Sequence, residues 1–148
     1  MKNSFLTFLL DSNICAVEIT NVLEVLNYGN FTIMPGAKNY IEGLIYSREQ
    51  GITVINLRKK FGLKEKEPDK NTKIIVISVK KQEGESEKIT LYGLVADQVL
   101  DVQNLEEDDE VEARCKSSIP RENIKKILKF EDKNIYFDNF GLVYNKPI

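Results

Sequence analysis

The chain has 148 residues and a mass of 17.0 kDa, a length typical of one domain. Its composition, 42% hydrophobic and 30% charged, excludes a mostly disordered chain. The net charge of −2 lacks the basic excess of a dedicated nucleic-acid binder. The sequence has no histidine, which excludes Ser-His and Cys-His nucleophile pairs, histidine general bases, histidine metal ligands and phosphohistidine carriers.

The cysteines and the N-terminus indicate the cellular compartment in which the protein is expected to occur. Cys15 and Cys115 form no Cys-x-x-Cys motif, and two isolated thiols predict buried apolar residues in a reducing cytosol. The apolar run of the first ten residues is too short for a signal peptide, and Asp11 follows it with no small-residue cleavage site. No stretch approaches the roughly 20 apolar residues that a membrane helix needs. We therefore expect a soluble, cytoplasmic protein without direct membrane insertion.

The first third of the chain predicts strands, a helix and a turn. Alternating apolar residues predict strands at 4–10 and 14–17, joined by an Asp-Ser-Asn turn. From 18 to 26 the apolar residues change to the spacing i, i+3, i+4 and i+7, which predicts a helix. A short strand at 31–34 and a turn of helix at 38–41 follow.

The central third predicts a hairpin, a capped helix and a buried strand. Two strands at 44–46 and 52–55 flank a polar tip. A short helix begins after Asn56, its predicted N-cap, and ends before Gly62. Four consecutive β-branched residues within 73–79 predict a strand that is buried on both faces.

The last third continues the pattern of strands and polar turns. The predicted elements are a polar hairpin tip at 80–88, a long strand at 89–101, a solvated acidic loop at 106–110, a hairpin of 127–130 and 135–137, and at most a short terminal helix. Many short strands, frequent turn signals and only brief helices predict a mostly β barrel or sandwich, with no domain boundary between 1 and 148. No helix is long enough for βαβ crossovers.

Sequence motifs for cofactor chemistry are absent. The glycines form no dinucleotide or nucleotide cradle, and no nucleophile elbow occurs. The acidic run at 106–110 lacks the alternating oxygen ligands and central glycine of a calcium loop. We therefore predict no cofactor, no metal site and no catalytic residues, although the acidic loop would attract a basic partner.

Two segments, at 31–62 and 93–102, carry the most specific ordered pattern. A further motif lies just upstream, at the end of the helix predicted at 18–26. In chain order the motifs are Val22-Leu23-Glu24-Val25, Met34-Pro35, Ile41-Glu42-Gly43, Tyr46-Ser47-Arg48-Glu49, Ile52-Thr53-Val54-Ile55, Asn56-Leu57-Arg58, Phe61-Gly62 and Gly93-Leu94-Val95-Ala96-Asp97-Gln98-Val99-Leu100-Asp101-Val102. Their order and spacing resemble the CheW-like family of bacterial chemotaxis coupling proteins, over about residues 5–143.

The resemblance implies both a fold and a function. The fold would be mainly β, with two intertwined five-stranded SH3-like barrels that share a hydrophobic interface and carry a few short helices. The function would be non-enzymatic: a cytoplasmic adaptor, recruited to membrane receptor arrays, that couples chemoreceptors to a histidine kinase. Its partners would be the cytoplasmic tip of a methyl-accepting chemotaxis protein and the regulatory domain of the kinase CheA.

The resemblance also points to candidate interface residues. Glu24 and Arg48 match charged positions of the family pattern, and we expect them to approach each other and shape the receptor or kinase contact; the competing interpretation is two ordinary exposed charges. Val22 and Val25 are candidate apolar contacts, with core packing as the alternative. Gly43 resembles a turn glycine, where an added side chain would strain the backbone and misplace the Arg48 tip.

The chain departs from the family pattern at several places. Gln98 stands where a small residue is common near the groove, and the tip around Arg48 differs. The segment 111–117, which includes Glu112 and Arg114, replaces a motif associated with a second contact that closes rings of kinase and coupling protein. These departures leave open a divergent paralogue that serves another receptor set or a non-motility kinase. An enzyme or small-molecule-binding β-barrel is a third, more remote alternative.

Overall fold

A computed structural model describes residues 2–11, 13–47, 49–107, 124–130, 133–138 and 142–145. Within these ranges the chain forms, in order, the elements β1 (Lys2–Leu10), β2 (Asn13–Glu18), a 3-10 turn (Ile19–Asn21), β3 (Val22–Asn27), β4 (Ile41–Ser47), β5 (Gln50–Ile55), α1 (Leu57–Lys60), β6 (Lys73–Glu83), β7 (Ser86–Ala96), β8 (Gln98–Glu107), β9 (Ile124–Phe130), β10 (Lys133–Asp138) and β11 (Leu142–Asn145). The predicted mainly β class is confirmed.

Six strands close into a barrel with the order β1-β2-β11-β10-β9-β8. Every neighbouring pair in it is antiparallel. The barrel has one strand more than expected because the C-terminal segment, predicted to hold at most a short helix, forms β11 between β2 and β10. Pairing on both sides satisfies the backbone groups of this strand, which an equally short helix could not do. We call these six strands the barrel half.

The other five strands form a curled sheet with the order β3-β6-β7-β5-β4. The β5–β7 pair is parallel and the other pairs are antiparallel. We call these strands, together with α1, the sheet half. The chain starts in the barrel half, builds the sheet half and returns to the barrel at β8, so the two halves are intertwined as expected.

The main hydrophobic core lies between the two halves. Its buried residues come from the barrel half (Leu6, Phe8, Leu10, Cys15, Val17) and from the sheet half (Ile55, Leu57, Phe61, Ile75, Ile77, Leu94, Ala96). A second cluster on the other face of the sheet contains Ile45, Ile52, Val54, Ile74, Val76 and Leu91. Alternate residues of β6 therefore enter different cores, which confirms the predicted burial on both faces. Cys15 is also buried as predicted.

The capped helix is confirmed in detail. The Asn56 side chain accepts a hydrogen bond of 3.1 Å from the Lys59 amide, and Gly62 takes a positive φ of 73° after the helix end. This local bonding depends only on residues a few positions apart, so the sequence pattern is sufficient to predict it.

Other predicted elements differ from the structure. The predicted helix at 18–26 is wrong: a 3-10 turn leads into β3, which pairs with β6. The segment 31–34 makes only an isolated bridge, between Thr32 and Leu44. The predicted long strand at 89–101 breaks at Asp97, and the polar tip at 80–88 is mostly strand, with the turn between Glu83 and Ser86. In the 18–26 segment, pairing of β3 with the distant β6 overrides the local helical pattern.

Candidate functional site

The two edges of the sheet half meet through Glu24 and Ser47. Glu24 lies in edge strand β3 and Ser47 ends the opposite edge strand β4, yet the Ser47 hydroxyl donates a 2.6 Å hydrogen bond to Glu24 Oε1. The sheet curls far enough to bring its two edges into side-chain contact. We call this meeting point the seam. Arg48, next in the chain to Ser47, lies outside the described residues, so its approach to Glu24 stays a prediction.

Exposed apolar side chains neighbour the seam. Val25 is 43% exposed and Tyr46 is 76% exposed, and each is the chain neighbour of a seam residue. Because side chains alternate along a strand, these two point away from the Glu24–Ser47 bond, toward solvent. Val22, by contrast, packs partly buried against the main core. The structure therefore leaves Val25 available for contact and places Val22 mainly in packing.

Gly43 is buried in β4 rather than placed in a turn. A Cβ atom at this position would lie 2.5 Å from the Thr32 carbonyl oxygen and 3.0 Å from Phe31 Cβ. Its φ of 155° adds a modest conformational preference for glycine. The need for glycine therefore comes mainly from the close approach of the 31–32 backbone, and Gly43 supports the strand that carries Ser47.

Gln98 is the first residue of β8, at one end of the barrel half. Its side chain is exposed, and its backbone stands opposite Leu9 of β1. It lies far along the chain from the seam and directly after Asp97, at the passage from one half to the other. The two candidates of the divergent segment, Glu112 and Arg114, fall outside the described residues.

A buried ion pair lies at the junction of the two halves. The sequence pattern does not predict this pair. Arg58 Nε and Nη2 donate to the two oxygens of the Asp97 carboxylate at 3.1 and 2.6 Å. The two side chains are only 10% and 14% exposed. Arg58 Nη2 also lies 3.3 Å from Asp11 Oδ1. Both residues of the pair belong to motifs of the family pattern, Asn-Leu-Arg and the run that includes Asp97, but nothing in the sequence links them.

The pair shifts the pKa values of both partners. Burial opposes ionisation of Asp97, but the hydrogen bonds from Arg58 and from the Asp11 amide, together with the Arg58 charge, outweigh it and hold the carboxyl pKa below its ordinary value. The hydrogen bond to Asp97 leads the causes that raise the pKa of Arg58. Both residues are therefore charged at neutral pH.

A cavity of about 290 Å³ lies beside this pair, lined in part by Tyr28, Glu42 and Asn56. Two pairs of polar groups in its wall bond to each other: Asn56 Nδ2 donates to Glu42 Oε1, and Arg58 donates to Asp97. Burial, then the charges of Glu42 and Glu67, raise the pKa of the Tyr28 phenol. These two pairs hold the loop around α1 in place. They do not set a nucleophile beside a base, the arrangement that covalent catalysis requires.

Metal-binding clusters and membrane-spanning helices are both absent from the described part of the chain. No group of three or more His, Cys, Asp or Glu side chains there is arranged to hold a metal ion. Among the same residues, no helix is long and apolar enough to cross a membrane.

Comparison with known proteins gives three concordant matches. Residues 4–137 match the model of the CheW-like domain. The chain is 33% identical over 73 residues to a chemotaxis protein CheW of Helicobacter pylori, a match that spans 49% of this chain and 44% of that protein. The fold is similar to the crystal structure of the scaffolding protein TtCheW from Thermoanaerobacter tengcongensis, with a TM-score of 0.73, 25% identity, and coverage of 94% of this chain and 90% of that one.

Proposed function

The chain belongs to the CheW-like domain family, and on that premise we propose that it is a cytoplasmic adaptor that couples transmembrane chemoreceptors to the histidine kinase CheA. Proteins of this family are scaffolding adaptors and not enzymes. The observation that carries the proposal is the extent of the match, which covers residues 4–137 and so includes strands of both halves.

An adaptor of this kind needs two separate contact surfaces. One takes the helical hairpin at the receptor tip, by laying an amphipathic helix in a groove. The other packs against a homologous barrel in the regulatory domain of the kinase. Each contact can be small and weak, because assembly in an array supplies avidity through effective concentration. The receptor state controls the kinase only if it changes the strength or geometry of these contacts.

The seam supports one of these surfaces. Exposed Val25 and Tyr46 supply apolar and aromatic area, which is enriched in the cores of protein interfaces. Glu24 is held in place by Ser47, and Arg48 follows directly in the chain. We assign the seam, together with its chain neighbours Val25, Tyr46 and Arg48, as the candidate contact with receptor or kinase. We propose that Arg48 lies near this held carboxylate, a charge pattern that would select the partner and its orientation.

Capture experiments test the proposal. The immobilised receptor tip fragment and the immobilised CheA regulatory domain should each retain the wild-type protein. Arg48→Glu should weaken capture by one of them about tenfold or more, equivalent to about 1.4 kcal/mol. The matched control is Lys88→Glu, the same charge reversal at an exposed position near the β6–β7 turn, which should bind as the wild type does.

Two results would contradict these assignments separately. A folded wild-type protein that neither partner retains would remove the coupling proposal and favour a paralogue serving other receptors or a non-motility kinase. Equal binding by Arg48→Glu and Lys88→Glu would leave the coupling proposal standing and remove the seam as its contact surface.

A further inference from the structure

Asp97 marks the point where the chain passes from the sheet half to the barrel half. It is the single residue between the end of β7 and the start of β8. Its amide donates a 2.9 Å hydrogen bond to the Leu9 carbonyl oxygen in β1, and its carboxylate accepts a 2.7 Å bond from the Asp11 amide. Both of these partners belong to the first β-hairpin of the barrel half or its turn.

Arg58 reaches the same carboxylate from the sheet half. It lies in α1, and its guanidinium donates through Nε and Nη2 to Asp97, while Nη1 donates to the Lys64 carbonyl oxygen. Asp11 of the barrel turn also contacts Nη2. Each nitrogen of the guanidinium therefore has a partner, and together they contact both halves. A bidentate pair of this kind fixes relative orientation as well as distance.

Among the described side chains, the main core between the halves is apolar. The main core contributes side chains such as Phe8 and Val17 from one half, and Ile75 and Leu94 from the other. Burial of such side chains is favourable but non-directional, so it holds the halves together more strongly than it fixes their rotation. A buried ion pair, in turn, adds little net stability compared with an apolar pair of the same volume, and in some proteins such groups instead specify a single geometry.

We propose that the Arg58–Asp97 pair is a latch that fixes the orientation of the barrel half relative to the sheet half. Asp97 is the pivot, tied to β1 through its backbone and to α1 through its side chain. If the chain acts as the adaptor proposed above, this latch also sets the angle between contact surfaces on the two halves; that consequence rests on the proposed function, whereas the latch itself does not.

Residual dipolar couplings of the full-length chain, without any partner, test the latch. In the wild type, one alignment tensor should fit the amide couplings of both halves. In Arg58→Lys, which keeps the charge and loses the fork, each half should still fit its own tensor, but the two tensors should differ in orientation or magnitude. Asp97→Asn, which keeps the side-chain shape and loses the charge, should behave in the same way.

The control removes an ion pair that stays within one segment. Lys59 and Glu65 form a surface pair at 3.2 Å next to α1, and Glu65→Gln should leave a single tensor for both halves. A single tensor in a folded Arg58→Lys and a folded Asp97→Asn would overturn the latch. Loss of folding in both variants would also overturn it, because the pair would then be a determinant of folding and not of orientation. No partner is present in this experiment, so neither result bears on the coupling proposal, which the capture experiments test separately.

Discussion

Gly43→Ala should destabilise the protein through one steric contact. The added methyl group would lie 2.5 Å from the Thr32 carbonyl oxygen. That oxygen accepts from the Leu44 amide at 2.8 Å, and the Thr32 amide donates to the Leu44 carbonyl oxygen at 2.8 Å. This pair of hydrogen bonds is the bridge that joins the 31–34 segment to β4. The methyl group therefore displaces the backbone that makes the bridge.

The expected cost follows from the contacts that are lost. Two backbone hydrogen bonds contribute about 0.5–1.5 kcal/mol each, and an unfavourable φ adds about 1 kcal/mol. Alanine gives the unfolded chain less conformational entropy than glycine does, which raises the free energy of unfolding by about 0.4–1 kcal/mol. The net loss is about 1–4 kcal/mol, a large part of the roughly 5–15 kcal/mol that stabilises a typical domain.

Urea unfolding, followed by far-UV circular dichroism, measures this loss. The control is Gly36→Ala, because Gly36 also has a positive φ, of 79°, but a Cβ atom added there would have no atom within 4 Å. That variant should show only the conformational cost of about 1 kcal/mol less the same entropic gain of about 0.4–1 kcal/mol, a net loss of about 0–0.6 kcal/mol. If Gly43→Ala loses no more unfolding free energy than Gly36→Ala does, the close approach of Thr32 is not what requires glycine at position 43.

Three further predictions concern the core, the cap and pH. Gly93→Ala should cost about 1–3 kcal/mol by overpacking, since its Cβ would lie 2.7 Å from Ile74 Cγ2; an equal cost in an Ile74→Ala background, measured by urea unfolding, would contradict that cause. Asn56→Ala should cost about 1–2 kcal/mol through loss of the α1 cap, and an unchanged thermal midpoint would speak against it. The folded pKa of Asp97 is depressed, so its contribution to stability is complete above its unfolded pKa of about 3.9 and is lost as pH falls through the folded value. The unfolding free energy of the wild type should therefore fall more steeply with acid than that of Asp97→Asn. Parallel curves of unfolding free energy against pH for the two proteins would refute the assignment.

Elements that depend on local chemistry were predictable from the sequence. The α1 cap needs only the Asn56 side chain and an amide three residues later, and Gly62 supplies the positive φ that ends the helix. The burial of β6 follows from a run of four β-branched residues with no polar break. In such segments the information that determines the structure lies within a few residues, so pattern and structure agree.

Elements that depend on distant partners were not predictable in the same way. Val22 and Leu26 fit a helical period over one short segment, but β6 offers an edge for pairing, and β3 forms there instead. The long strand predicted at 89–101 breaks at Asp97, whose carboxylate pairs with Arg58, 39 positions earlier in the chain. The seam joins Glu24 to a residue 23 positions away across a curled sheet. A single sequence indicates the residue types at these positions but not which of them meet.

The coupling proposal is tested by receptor-dependent kinase activity in a reconstituted mixture. The mixture contains membranes with chemoreceptor, full-length CheA and this protein, and the measured quantity is the rate of CheA autophosphorylation with and without receptor ligand. We predict that the ligand changes this rate only when the protein is present, and that Arg48→Glu reduces the change while Lys88→Glu does not. A folded wild-type protein that leaves the rate independent of the receptor, at concentrations that saturate both partners, would contradict the coupling proposal.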